Sequence, residues 1–199
     1  NNVAMGRASM GNTTTGSENT ALGALSLQTN SEGSQNTAVG CGAVKANTTA
    51  NHNTGLGWNA LTAGTTGAEN TAVGSNALKA NTTGCKNTSV GYVSLCALSG
   101  DGNENTAAGY AAGCSITTGD NNVTLGYRAG RDLTTGNCNI LIGPSVNIDA
   151  GGTNTSIAMG YNVSSINNAF TFGCGSLDSR IAFGATSITA PSDQRLKED

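Results

Sequence analysis

Hydrophobic and polar residues alternate over a short stretch that returns along most of the chain. The phrase ENTAVGSNAL at 69–78 comes back as ENTALGALSL at 18–27, QNTAVGCGAV at 35–44, HNTGLGWNAL at 52–61, KNTSVGYVSL at 86–95 and ENTAAGYAAG at 104–113. One glycine marks the period, and it stands at Gly6, Gly23, Gly40, Gly57, Gly74, Gly91, Gly109, Gly126, Gly143 and Gly160. The interval is 17 residues, except for one interval of 18 near Asp101. A short fixed period is typical of stacked repeat units.

The residues before each period glycine predict a short strand. An asparagine stands four places before it, at Asn2, Asn19, Asn36, Asn53, Asn70, Asn87, Asn105, Asn122 and Asn139, and then Ser156 takes that place. The next column holds Thr20, Thr37, Thr54, Thr71, Thr88 and Thr106, then Val123, Ile140 and Ile157. An apolar residue directly precedes the glycine, two places after this column, so the two share one face of an extended strand. Because the threonine column becomes Val and Ile, we expect this face to point inward.

The rest of each repeat predicts a second short segment and two turns. Small and Leu-like residues follow the glycine as Ala60 and Leu61, Ala77 and Leu78, and Ser94 and Leu95, and Thr-Thr-Gly clusters indicate turns. Seventeen residues are too few for a helical hairpin, and Gly, Asn and Thr disfavour helices. We therefore predict an all-β fold, a repetitive parallel β-roll or solenoid of about ten 17-residue coils over residues 1–165. At ~4.8 Å per coil, equivalent side chains stack directly on one another.

Stacking of equivalent residues predicts a role for two columns, the asparagines and the aromatic residues. The asparagines Asn19 to Asn139 are expected to form a structural ladder, because amides at the strand spacing can hydrogen-bond from coil to coil. The place after the period glycine holds five of the eight Trp, Tyr and Phe residues: Trp58, Tyr92, Tyr110, Tyr127 and Tyr161. These rings either pack on each other or on a neighbouring chain, or form an exposed strip that stacks on sugars.

Composition narrows the function. The hydrophobic fraction of 37% leans on alanine, so each repeat buries little by itself and self-association is expected. A net charge of −3 with scattered Lys and Arg gives no basic face for nucleic acid, and no apolar run approaches the ~20 residues that span a bilayer. Six cysteines, Cys41, Cys85, Cys96, Cys114, Cys138 and Cys174, form no CxxC pair, which argues against a metal site. We expect small buried or half-buried thiols, with pairing of some left open, and no cofactor.

No hydrolase site is evident in the array. His52 is expected to be a polar turn residue, and Glu18, Glu69 and Glu104 to lie at solvated edges instead of forming paired catalytic carboxylates.

Beyond Gly160 the 17-residue period is no longer seen. Residues 166–191 are predicted to be a cap or neck. It contains the three phenylalanines of the chain, Phe170, Phe172 and Phe183, whose rings are expected to meet those of partner chains.

The last eight residues, SDQRLKED, carry a resemblance. Ser192, Asp193, Arg195, Leu196 and Lys197 match the S-D-x-R-L-K junction at which phage tailspikes and tail fibres of the endosialidase type join a C-terminal intramolecular chaperone. The resemblance implies trimerisation by that domain and self-cleavage between Ser192 and Asp193, with Ser192 as nucleophile and Lys197 as its base. Residues 192–199 are then the start of a chaperone domain whose remainder is missing, so this piece alone is expected not to cleave or to act as an enzyme.

The repeats are similar to a second family. The fragments NVAMG at 2–6 and SIAMG at 156–160 resemble the N-S-V-A-I-G units of trimeric autotransporter adhesin heads, which implies three rolls side by side. Together these features favour a homotrimeric segment of a viral tail fibre, located in the virion, that binds a host cell-surface receptor, most simply a glycan. The alternatives are a trimeric adhesin head on a bacterial cell surface and an ice-binding β-solenoid with its threonine column.

Overall fold

The computed structural model describes residues 1–175 and 177–185, and they form a stack of short parallel strands. The strands are β1 (Val3–Met5), β2 (Thr20–Leu22), β3 (Thr37–Val39), β4 (Thr54–Leu56), β5 (Thr71–Val73), β6 (Thr88–Val90), β7 (Thr106–Ala108), β8 (Val123–Leu125), β9 (Ile140–Ile142), β10 (Asn147–Ile148), β11 (Ile157–Tyr161), β12 (Ser164–Ser165), β13 (Ala169–Cys174) and β14 (Leu177–Ala182). One sheet of 12 strands runs in the order β1 to β9, β11, β13, β14. The predicted parallel β-solenoid of about ten coils of about 17 residues is confirmed.

Neighbouring coils are in register over the whole array. Thr20 lies opposite Thr37, and the same correspondence continues from coil to coil. The single extra residue near Asp101 does not disturb it, because Thr88 still pairs with Thr106. The coil accommodates the insertion at a corner, where Gly100 has a φ of +67° and open space around it.

The prediction that the threonine column and the apolar column of the main sheet point inward is wrong. In each strand from β2 to β9 the middle residue, such as Ala21 or Ala72, is the one that is fully buried. Its neighbours, the threonine or β-branched residue and the apolar residue, point outward and are half-buried or exposed; Leu56 is 45% and Val90 41% exposed. The physical reason is the narrow interior of the coil. Leucines from the opposite wall fill most of it, so the strand can place only a small residue, Ala, Gly or Ser, inside.

The second segment is a turn and not an extended strand through most of the array. Leu61, Leu78 and Leu95 are fully buried, but each has a φ near +50°, in the left-handed region that disfavours residues with a Cβ. Burial of the leucine side chain offsets this local cost. Backbone bonds still join the coils here, since the Leu61 N–H donates to the Ala77 carbonyl at 2.9 Å.

The period glycine is required by a close approach between coils. Gly57 has a φ of +135°, and a Cβ added to it would lie 2.7 Å from the carbonyl carbon and oxygen of Gly74. No side chain can occupy that space without moving the next coil. The invariance of this position along the chain therefore has a steric cause.

The residues that fill the interior change toward the C-terminal third of the solenoid. Larger strand residues, Thr124 and Leu141, point inward there, and the opposite wall provides Gly113 and Gly130 instead of leucine. A Cβ on Gly130 would lie 2.7 Å from Thr124 Cγ2. The strand residue is therefore larger here, and the residue of the opposite wall is correspondingly smaller. In the following coils the opposite wall becomes extended, and β10 pairs with β12 in a second, two-stranded parallel sheet.

The C-terminal part continues the main sheet. Strand β13 is parallel to β11 and places Phe170 opposite Ile157 and Phe172 opposite Met159, and β14 then pairs antiparallel to β13. The two phenylalanine rings are 5.1 Å apart and extend the outward columns. Within the ranges given above, no helix long and apolar enough to cross a membrane is found.

Candidate functional site

The asparagine column ties backbone to backbone. The asparagines from Asn19 to Asn139 are buried. In the typical case the Asn53 Oδ1 accepts the backbone N–H of Asn70 at 2.9 Å, and the Asn53 Nδ2 donates to the Gly67 carbonyl at 2.8 Å. Direct amide-to-amide bonds also occur, as from Asn70 Nδ2 to Asn53 Oδ1 at 3.3 Å. Each amide thus satisfies backbone groups of two coils, which gives this column a structural role and leaves it no free group for a ligand.

The aromatic column is both stacked and exposed. The rings of Tyr92 and Tyr110 lie 5.5 Å apart, and those of Tyr110 and Tyr127 lie 5.3 Å apart, with interplanar angles of 20° and 16°. All five aromatic residues of the column, including Trp58 and Tyr161, are about half exposed. For Tyr92, Tyr110 and Tyr127 the two interpretations coincide, since these rings pack on one another along the rod and also face solvent. Trp58 and Tyr161 face solvent and make no ring pair among the residues described.

Stacking decides which ring surfaces a ligand can reach. Both faces of Tyr110 are covered by its neighbours, so this residue presents an edge and its hydroxyl group. Trp58 has Cys41 and Ser75 in the same column on the adjoining coils, and it makes no ring pair among the residues described. Its indole faces are consequently more open to a flat ligand than the ring of Tyr110 is. Tyr92 has one such open side, toward Ser75.

A cavity of about 440 Å³ opens on the solenoid wall where the coil construction changes. Sequence reasoning missed it, because its lining comes from three successive coils whose backbone path differs. Arg128, Ser145 and Asn162 occupy equivalent places on those coils and line one wall. The Arg128 guanidinium carbon lies 5.3 Å from the centre of the Tyr127 ring, so the cavity adjoins the aromatic column.

Two hydrogen-bonded clusters form the rest of the cavity wall. Arg131 Nε donates to Asp132 Oδ1 at 3.1 Å, and Asn147 Nδ2 also donates to the Asp132 carboxylate. The hydrogen bond from Arg131 holds the pKa of the Asp132 carboxyl below its ordinary value, against a smaller opposing effect of burial. The second cluster joins the Ser164 hydroxyl, as donor, to the Asp149 carboxylate.

The structure does not test the candidate catalytic residues. Ser192, Asp193 and Lys197 lie outside the residues that the structure describes. His52 and the acids Glu18, Glu69 and Glu104 are exposed, and Lys86 pairs with Glu104 at 3.7 Å on the surface. In residues 1–175 and 177–185, no three His, Cys, Asp or Glu side chains come together as metal ligands.

The cysteines are free thiols, and they differ in burial. Cys85, Cys96 and Cys114 are half-buried as predicted, but Cys41, Cys138 and Cys174 are exposed. Cys96 and Cys114 occupy neighbouring coils, and the Cys96 thiol donates to the Cys114 carbonyl at 3.5 Å. Burial raises the pKa of the Cys96 thiol, and the neighbouring Cys114 raises it further.

Comparisons of the chain with protein-family models, with curated proteins and with solved structures find no match. The protein is a parallel β-solenoid of about ten turns. Function must therefore be argued from its surfaces.

Proposed function

We propose that this chain is a segment of a homotrimeric viral tail fibre that binds a host-cell surface receptor, most simply a glycan. The observation that carries the proposal is the outward face of the main sheet. Its two columns contain Thr, Val, Ile, Leu, Met, Ala and Phe, with no charged residue from Val3 to Phe172. At three residues per strand the face is about 10 Å wide and, over the 11 strands from β1 to β13 in the main sheet, roughly 50 Å long.

Such a face is suited to association. One of its columns is apolar throughout, and the other is threonine from Thr20 to Thr106. The area of this strip, roughly 500 Å², is that of the largest patch on a typical soluble monomer, about 300–600 Å², and such patches are often functional. Second and third copies of the chain are the partners we propose, because each copy presents the same columns at the same spacing and the strip is narrow enough for three to meet around one axis. The resemblance of the repeats to trimeric adhesin heads supports the number three.

Association is tested by mass in solution. Light scattering coupled to size exclusion is expected to give about 59 kDa, three times the chain mass of 19.7 kDa. The double variant Val73→Asp, Val90→Asp places charges on the outward face and is expected to dissociate the trimer, whereas Thr49→Asp, Thr66→Asp places the same charges on an exposed corner and is expected to leave it intact. A wild-type monomer at micromolar concentration, or equal behaviour of both double variants, refutes the proposed interface.

Receptor binding is assigned to the aromatic column beside this face. The trimer is expected to bind members of a glycan array. Trp58→Ala is expected to weaken binding if a sugar stacks on an open ring face, and Tyr110→Phe if the hydroxyl edges make the contact. Circular dichroism of both variants controls for folding. Unchanged binding by both variants would remove the aromatic column from the proposal.

The SDQRLK resemblance supports the viral setting over the alternative of a bacterial surface adhesin. It also supports self-cleavage between Ser192 and Asp193 in a chain that carries the complete chaperone domain. Expression of such a chain with and without Ser192→Ala tests this step, and cleavage that persists in the alanine variant excludes Ser192 as the nucleophile.

An ice-binding function is the second candidate, because one observation favours it. The six threonines from Thr20 to Thr106 point outward at the strand spacing, although the sequence suggested that they point inward. A flat regular array of hydroxyl and methyl groups is available to ice only if no partner covers it. Thermal hysteresis in solution would support this function, and a stable trimer without hysteresis would exclude it.

A further inference from the structure

The cavity beside the aromatic column is lined in part by polar side chains that have no hydrogen-bond partner among the described residues. Arg128, Ser145 and Asn162 are held in place by their backbones: the Ser145 N–H donates to the Tyr127 carbonyl at 2.8 Å, and the Asn162 N–H to the Pro144 carbonyl at 3.0 Å. Their side chains make no hydrogen bond with any residue that the structure describes. Three successive coils thus present a guanidinium, a hydroxyl and an amide at intervals of ~4.8 Å along one wall.

The opposite groups of the cavity already have hydrogen-bond partners. Asp132 accepts hydrogen bonds from Arg131 and Asn147, and Asp149 accepts one from Ser164. These contacts orient the two carboxylates and use part of their acceptor capacity. The side chains without a hydrogen-bond partner are mainly donors, with one hydroxyl and one amide that can also accept.

The charges of the cavity select the kind of ligand. The lining holds two cations, Arg128 and Arg131, and two carboxylates, Asp132 and Asp149, so its formal charges sum to zero. Arg131 pairs with Asp132, and in the described part of the chain Arg128 has no carboxylate within ion-pair distance. A single negative charge on the ligand would complement Arg128. A phosphate dianion would bring a second charge into a cavity that also contains the carboxylates of Asp132 and Asp149, which oppose it.

The neighbouring rings add an apolar contact. Tyr127 lies beneath the Arg128 guanidinium, and Tyr161 precedes Asn162 and is 59% exposed. A planar carboxylate is well matched to a guanidinium, and the polar and apolar faces of a sugar ring suit a wall that combines donors with aromatic side chains. The volume of about 440 Å³ can hold one or two sugar residues.

We infer that this cavity binds a uronic acid residue of an acidic glycan, with its carboxylate on Arg128 and its hydroxyl groups on Ser145 and Asn162. The inference rests on the proposed function and names the chemical class of its receptor. It places recognition of charge in the C-terminal third of the solenoid, next to the stacked rings.

Calorimetric titration of the full chain with oligosaccharides that contain glucuronate or galacturonate tests the inference. Binding is expected for the acids and is expected to be at least about tenfold weaker for their methyl esters and for neutral glucose oligomers, because a charge-assisted contact is lost. Inorganic phosphate at equal concentration is expected not to compete. Uronate binding that is no stronger than binding of the esters overturns the inference.

Arg128→Gln is expected to weaken uronate binding by about tenfold to a hundredfold, and Ser145→Ala or Asn162→Ala by a smaller factor. Arg7→Gln, the same change on an exposed arginine far along the rod, is the matched control and is expected to bind like wild type. Equal uronate binding by Arg128→Gln and Arg7→Gln refutes the site. If neutral glycans bind and uronates do not, the inference fails while the proposed function stands; if no glycan binds, both fail.

Discussion

A second buried asparagine column leaves two amide oxygens, Asn47 Oδ1 and Asn81 Oδ1, without a hydrogen-bond partner, and repairing the first should stabilise the protein. Asn47 Nδ2 donates to Asn30 Oδ1 at 2.6 Å and to the Ala50 carbonyl at 3.0 Å. The next coil has Gly64 at this place, and Asn81 follows one coil later. The Asn47 Oδ1 is therefore buried without a hydrogen-bond partner. We predict that Gly64→Asn completes the column.

The expected gain follows from three new contacts. By analogy with its neighbours, an asparagine at 64 donates to Asn47 Oδ1 and to the Gly67 carbonyl, and accepts from Asn81 Nδ2. Relieving one buried orphan acceptor is worth about 1–3 kcal/mol, and loss of a glycine from the unfolded chain adds about 0.4–1 kcal/mol. Ordering the new side chain costs about 1 kcal/mol, and Leu61 must shift slightly because its Cγ is 3.1 Å from the added Cβ. The net stabilisation is about 2 kcal/mol.

Hydrogen exchange is the suitable assay, because a repeat array need not unfold in a single transition. At a fixed protein concentration, amide exchange over residues 43–66 is expected to slow by about thirtyfold, the equivalent of 2 kcal/mol. Gly64→Ala tests the backbone effect alone. Gly64→Asp is the isosteric control that replaces the donor NH₂ by oxygen, and it is expected to destabilise because it buries a carboxylate facing an acceptor. An asparagine variant no more stable than the alanine variant refutes the reasoning.

Two further predictions concern the period glycine and the paired thiols. Gly57→Ala is expected to destabilise by about 3 kcal/mol or more, since its Cβ meets the next coil, whereas Gly100→Ala, with a positive φ but open space, costs only about 1 kcal/mol; denaturant titration compares them. Because burial and Cys114 raise the pKa of Cys96, iodoacetamide is expected to modify Cys96 more slowly than exposed Cys138 at pH 8, with the difference narrowing as pH rises through the raised pKa; equal rates by mass spectrometry would contradict this.

Periodicity predicted the strands well because their positions depend on stacking alone. The segments Thr20–Leu22 through Ile140–Ile142 lie where the columns placed them. Which strand face points inward could not be predicted from polarity, since the interior residue is small and not distinctly apolar. The buried leucines near φ +50° were also unpredictable, because local preference opposes that conformation and only the packed coil favours it.

The candidate site was predictable only in part. The aromatic column was visible as a column, but mutual stacking of Tyr92, Tyr110 and Tyr127 depends on ring orientation, which the sequence does not encode in any simple pattern. The cavity at Arg128 was missed for a different reason. It arises where turns give way to strands β10 and β12, and that change in backbone path follows from an exchange of volumes across the interior and not from any local motif.

Register between coils also has a consequence for how the length of this protein can change. Deleting or duplicating one 17-residue coil keeps the strands in register, as the pairing of Thr20, Thr37 and Thr54 shows. A change in the number of coils can thus lengthen or shorten the rod in steps of ~4.8 Å. Reach and recognition can then evolve separately, because the first varies with coil number and the second with a few surface columns.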